Sequence, residues 1–202
     1  SFPTRRSSDL PSPYNVAQEI YIDMIPVTDY ITSGVWQIIL NPTRVVEGQY
    51  DLWLPSENVL NRGTGFLYPD EEVTLTIPST ADKVISVGAY DALTFSYASF
   101  SGRGYTWQDE RTKPDLVAPG VNVRTTAVGG GVTVVSGTSF ATPFVTGASA
   151  LLMEWGIVRG NDPFLYGEKV KAYLRRGARE LPGFGKYPNR EVGYGRLCLE
   201  RS

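Results

Sequence analysis

Residues 132–155, VTVVSGTSFATPFVTGASALLMEW, limit the fold of this chain more than any other stretch. A β-branched run from Val132 to Val135 meets a helix-forming run with only Ser136 and Gly137 between them. A strand that turns so abruptly into a helix is the joint of an α/β unit, with the helix laid back on a sheet. The helix is expected over residues 138–155, with Thr138 near the N-cap. Gly147, Ala148, Ser149 and Ala150 would keep part of it slim enough to pack closely.

Ser139 falls in the first turn of that helix. Backbone N–H groups there lack intrahelical partners and the helix dipole is positive, so an oxyanion beside the hydroxyl is stabilised. Small neighbours, Gly137 and Ala141, would let a peptide approach. Pro143 has no N–H to give to the Ser139 carbonyl. Helix chemistry alone leaves two readings open, a capping turn and a nucleophile. The chain has no histidine, so a Ser-His-Asp mechanism would need an imidazole from elsewhere.

The rest of the chain divides at about Thr80. From Gln18 to Pro78 short β-type runs (19–25, 35–40, 49–54 and 73–77) are separated by turn residues such as Ser33-Gly34 and Asn41-Pro42. Ile20, Ile22 and Met24 alternate onto one face of the first run. This spacing suits part of an antiparallel β-sandwich of jelly-roll type, with Tyr21, Trp36, Tyr50 and Trp53 as core or as a glycan groove. After Thr80 the texture is α/β. KVISVGAYD (83–91) reads as a buried parallel strand, KPDLVAPGVNVRTT (113–126) as strand, turn and strand, and residues 164–177 as a second helix. In that helix Tyr166, Val170, Tyr173 and Leu174 share one face, and Gly177 is the expected C′ residue.

Residues 137–143, Gly-Thr-Ser-x-Ala-x-Pro, resemble the nucleophile motif of the subtilisin-like serine proteases, the subtilases. VISVGAYD (84–91) is similar to the family's core strand, YASFSGRG (97–104) to the Ser/Gly loop after it, and KPDLVAPGVNV (113–123) to its Ala-Pro-Gly segment. The resemblance implies the C-terminal part of a parallel-sheet catalytic domain over 80–202, with Ser139 as nucleophile and Gly137, Thr138, Ala141 and Pro143 as supporting residues. It also implies a serine-type endopeptidase acting on protein or peptide substrates, with a propeptide allowed and no cofactor. The family order Asp, His, Ser places both partners of Ser139 upstream. An α/β-hydrolase elbow is disfavoured, because the position for its second glycine is Ala141 and no histidine follows. A sandwich before the core strand resembles the subtilases of spore-forming Clostridia, which include germination proteases and some catalytically dead, regulatory members. A pseudoprotease role in spore germination and a glycan-binding module are the alternatives.

Residues 1–10, SFPTRRSSDL, match the translation of a common sequencing-library adapter and are expected to be an assembly artefact. That leaves 11–79 as a partial insert ahead of 80–202, in an N-terminally truncated fragment. A net charge of −2 without a basic run argues against nucleic acid, and no membrane partner is expected. The lone Cys198 reads as a small core residue. Asp109, Glu110 and Asp115 are too scattered for calcium and read as a solvated loop, and no metal is expected. Residues 127–132, AVGGGV, read as a flexible turn, and Arg175 and Arg176 as ordinary partners of a helix C-terminus. Localisation stays open, with extracellular and spore-associated settings both allowed.

Overall fold

The computed structural model describes residues 4–7, 20–26, 29–41, 44–45, 48, 50–55, 59–105 and 112–202. The chain divides into two compact units, Ser1–Pro55 and Ser56–Ser202.

In the first unit β1 (Thr4–Ser7) pairs antiparallel with β2 (Tyr21–Met24), placing Thr4 opposite Met24. Residues 35–40 and the described residues 50–54 form no strand, and neither does 73–77 in the second unit. Tyr21, Trp36, Tyr50 and Trp53 are therefore exposed rather than core, because no second sheet covers them among the described residues.

The second unit is built on a mixed sheet of order β4-β3-β7. Its strands are β3 (Val87–Asp91), β4 (Ser96–Tyr97) and, after the short pair β5 (Gly104–Tyr105) and β6 (Thr112–Lys113), β7 (Leu116–Pro119). β3 runs parallel to β7, with Val87 beside Leu116 and Tyr90 beside Pro119. Alternation along β7 divides the core. Leu116 and Ala118 face one cluster with Ala89, Ala141, Val145, Ala148, Leu152, Val170 and Leu174. Val117 faces the other, with Tyr90, Leu181 and Val192. Leu116 and Leu174 are wholly buried, and each such side chain contributes on the order of 2 kcal/mol. The other edge of β7 is covered by the C-terminal segment, where the Val117 N–H donates to Gly195 O and the Leu197 N–H to Val117 O.

β8 (Val123–Thr126) and β9 (Val132–Val135) form an antiparallel hairpin. Gly129, Gly130 and Gly131 make its turn at positive φ. β9 then leads into α1 (Thr138–Met153), which continues as a π-helical turn over Glu154–Val158. This 21-residue helix, Thr138–Val158, is long and apolar enough to cross a membrane by length and composition, which the sequence reading did not anticipate. Ala141, Val145, Ala148 and Leu152 are buried in the cluster facing Leu116 and Ala118, as in a core helix. Ala148 lies on that buried side and Ser149 is half-buried, whereas Gly147 and Ala150 are exposed. Only part of the small-residue stretch therefore serves close packing.

α2 (Gly167–Gly177) starts after an extended N-cap, Tyr166. Val170 and Leu174 are buried and Tyr173 is half-buried, while Tyr166 is 56% exposed because it lies outside the helix. Gly177 is the last helical residue and Ala178 the C-cap, so the helix ends two positions later than expected and Gly177 is not the C′ residue.

Candidate active site

Gly120 ties the sheet to the helix that carries Ser139. Its N–H donates to Tyr90 O (3.0 Å), and its carbonyl accepts the Gly137 N–H (2.8 Å). A Cβ at residue 120 would lie 2.5 Å from the Cβ of Ala89, so only glycine allows this approach. The Asn122 N–H donates to Ser136 Oγ at 2.9 Å, fixing the chain as it leaves β9.

Gly137 is the N-cap of α1, at φ 152°, with Thr138 next to it, and no side chain caps the helix. Glycine is suited to that dihedral. Thr138 and Ser139 are therefore the first helical residues, and their N–H groups face no capping oxygen. Ser139 is exposed, and its hydroxyl makes no hydrogen bond among the described residues. Thr142 Oγ1 donates to Thr138 O at 3.0 Å. Pro143 lies inside the helix and leaves the Ser139 carbonyl without its usual amide donor. Ala141 is fully buried in the core cluster, so its small side chain serves helix packing rather than peptide approach.

Ser139 opens into a cleft of about 250 Å³. Thr138, Ser139 and Thr142 form one wall, and Pro78, Ser79 and Val84–Val87 form the other. No charged side chain lines it. Ser79 and Ser86 share a hydrogen bond between their hydroxyls across this second wall. The sequence reading missed this wall. Its one visible signal is the pair of serines that interrupt the run before β3.

Beneath that wall lies the largest departure from the sequence expectation. Asp115, read as part of a solvated loop, is completely buried. Its Oδ1 accepts from Arg175 Nε at 2.9 Å, and its Oδ2 accepts the Ser86 N–H at 2.7 Å. Lys113 Nζ and Lys171 Nζ lie 3.5 and 3.4 Å from Oδ2. Arg175 thus binds a buried carboxylate instead of only complementing the end of α2, and it lies 4.9 Å from the Tyr194 ring centre. Burial pushes the Lys113 ammonium below its ordinary pKa, while the Asp115 charge opposes that shift. Asp109 and Glu110 lie outside the described residues. No group of three or more acidic, Cys or His residues able to hold a metal occurs among the described residues. Cys198 is free and half-buried.

A hydroxyl at the positive end of a helix can be the attacking group of acyl transfer, with first-turn N–H groups stabilising the oxyanion. Without a base such a hydroxyl is a weak nucleophile. Fold and site together define a class of α/β domain that presents a serine where a helix leaves the sheet.

Comparison with known proteins identifies the class. The subtilase family model (peptidase S8) matches residues 67–195, and the chain belongs to that family. Over 134 residues it is 39% identical to the membrane-bound transcription factor site-1 protease of Mus musculus, covering 64% of this chain and 12% of that protein. Over 129 residues it is 34% identical to the serine protease AprX of Bacillus subtilis, covering 54% and 27%. The solved structure of the Clostridium perfringens CspB protease superposes with a TM-score of 0.85 at 44% identity, covering 100% of this chain and 44% of that chain. The chain thus spans less than half of each of these relatives.

Proposed function

We propose that this chain carries the nucleophile of a subtilisin-like serine endopeptidase acting on protein or peptide substrates. The observation that supports this most directly is the placement of Ser139, exposed in a cleft at the uncapped first turn of α1. Ser139 Oγ attacks the scissile carbonyl, and the Ser139 N–H donates to the oxyanion. A histidine from outside these 202 residues takes the hydroxyl proton, an aspartate orients that histidine, and an asparagine gives the second oxyanion hydrogen bond. Gly137 and Pro143 set the local backbone, Thr138 forms part of the cleft and Ala141 seats the helix. Residues 11–79 belong to a sandwich insert ahead of a catalytic part spanning 80–202. A propeptide is compatible with this reading.

The test compares the 202-residue chain with the complete gene product on a fluorogenic peptide library. The chain alone is expected to show no turnover, because it has no imidazole. The complete product is expected to hydrolyse peptides and to lose about 10⁴-fold or more in kcat on Ser139→Ala. Turnover by the chain alone, or activity in the complete product that survives Ser139→Ala, would overturn the reading. A complete product that binds peptides without cleaving them would be a pseudoprotease instead.

A further inference from the structure

Residues 77–86 carry the wall opposite Ser139, yet they form turns and bends without a strand or helix. Buried backbone groups need partners, and a loop has no ladder to supply them. Here side-chain cations take that role. Lys113 Nζ donates to Ala81 O (3.0 Å) and Val84 O (3.2 Å). Lys171 Nζ donates to Asp82 O and Val84 O, both at 2.8 Å. Asp115 holds the same stretch twice, through its Oδ2 on the Ser86 N–H and through its own N–H on Ser86 O at 2.8 Å. Lys171 and Arg175 lie one turn apart on α2, so both reach Asp115 from the same helix face.

A buried ion cluster of this kind gives little net stability over an apolar replacement, since each charge loses its hydration. It does enforce one geometry, because any displacement leaves a buried charge or carbonyl unpaired. The residues that cover it, Val84 to Val87, are the cleft wall itself.

We propose that Asp115, Lys113 and Lys171 are positioning residues that hold the 81–86 segment in register as the peptide-binding wall facing Ser139. The proposal rests on the endopeptidase reading for its consequence and on the cluster alone for its mechanism. None of the three lines the cleft, so they act through the backbone of 81–86. Lys171 is the most informative position, because it reaches the segment from α2 rather than from the adjoining β6–β7 turn.

Two measurements separate mechanism from consequence. Hydrogen exchange on the 202-residue chain compares amides 84–87 with amides 145–152 in the wild type, Lys171→Met and Lys171→Arg. The first group is expected to exchange about tenfold faster in Lys171→Met, the size of one lost charged hydrogen bond, with the second group unchanged. Lys171→Arg should recover most of the protection. Kinetics on the complete gene product should show KM for extended peptides rising several-fold in Lys171→Met, with kcat changing less. Unchanged exchange at 84–87, or equal acceleration in both groups, overturns the positioning role whatever the enzyme does. Faster exchange at 84–87 with unaltered KM overturns the link to peptide binding. If the wild-type product has no activity, the endopeptidase reading fails separately and the exchange result alone decides the positioning role.

Discussion

Two glycines show how the same residue type answers opposite demands. Gly120 is enclosed, and an added Cβ would lie 2.5 Å from Ala89 Cβ and 3.1 Å from Gly137 O. Ala89 Cβ is fixed directly to the sheet backbone and Gly137 O is helix-cap backbone, so neither can retreat without separating α1 from β3. Gly120→Ala is therefore expected to destabilise the chain by about 1–3 kcal/mol, read as a fall in the urea midpoint. Gly147 sits within α1, exposed, and an added Cβ there meets nothing within 4 Å. Gly147→Ala is expected to stabilise by about 0.5–1 kcal/mol through helix propensity. A midpoint for Gly120→Ala at or above wild type would refute the close approach of α1. At this scale the motif was legible as letters but not as roles. Gly137-Thr138-Ser139 marked a candidate site, while the burial of Ala141 and the cap at Gly137 depend on how α1 meets the sheet. Asp115 was misread because local sequence gives a charge its hydrated default, and the cations that enclose it include Lys171 and Arg175 from a distant helix.

At the scale of elements, α2 was legible from its strong amphipathic period, while α1, β7 and the strands β8 and β9 were legible as apolar or β-branched runs with Gly or Pro at one end or both. β3 was not fully legible. The run 83–91 looks continuous, yet the strand begins at Val87 because the groups before it bond to Lys113, Lys171 and Asp115. The link from the π-helical turn to α2 has its own anchor. Lys169 Nζ lies 2.7 Å from Asp162 Oδ1 and 2.6 Å from Oδ2, and the Asp162 N–H donates to Gly156 O. The hydrogen bond from Lys169 holds the Asp162 carboxyl below its ordinary 3.8, and the same bond raises Lys169 above its ordinary 10.5. A lowered carboxyl pKa gives stability that is present above 3.8 and is lost as pH falls through the folded value. A raised ammonium pKa gives stability that is present below 10.5 and is lost as pH rises through its folded value. The pair is therefore expected to act at full strength between those limits. Comparing wild type with Lys169→Met by thermal melts should show a stability gap that is level from pH 5 to pH 9 (~4 pH units) and closes below pH 3.8. A gap that widens in acid would mean the ion pair is not its source.

For the whole molecule, the part of the chain with its own packed core was the part whose α/β class the sequence described correctly. The α/β half could be read because buried strands and an amphipathic α2 carry their pattern locally. The sandwich could not be verified in the same way, since short β runs become strands only when partners supply hydrogen bonds and a second face. That difference leads to a prediction about the isolated chain. Phe144, Leu151, Met153, Trp155, Ile157 and Val158 are all at least 41% exposed along α1 and its π-helical end, against four buried residues in α1. A helix apolar on both sides belongs inside a larger core, and exposed apolar side chains in such number drive association. The purified 202-residue chain is expected to sediment above monomer at micromolar concentration and to enhance the fluorescence of a hydrophobic dye. Replacing Leu151 and Val158 with lysine should reduce both signals without lowering the melting temperature, because neither side chain is in the buried cluster. If the wild-type chain is instead monomeric and dark to the dye, the outer face of α1 must be covered from within these 202 residues. The exposure assigned to Phe144, Leu151 and Val158 would then be wrong.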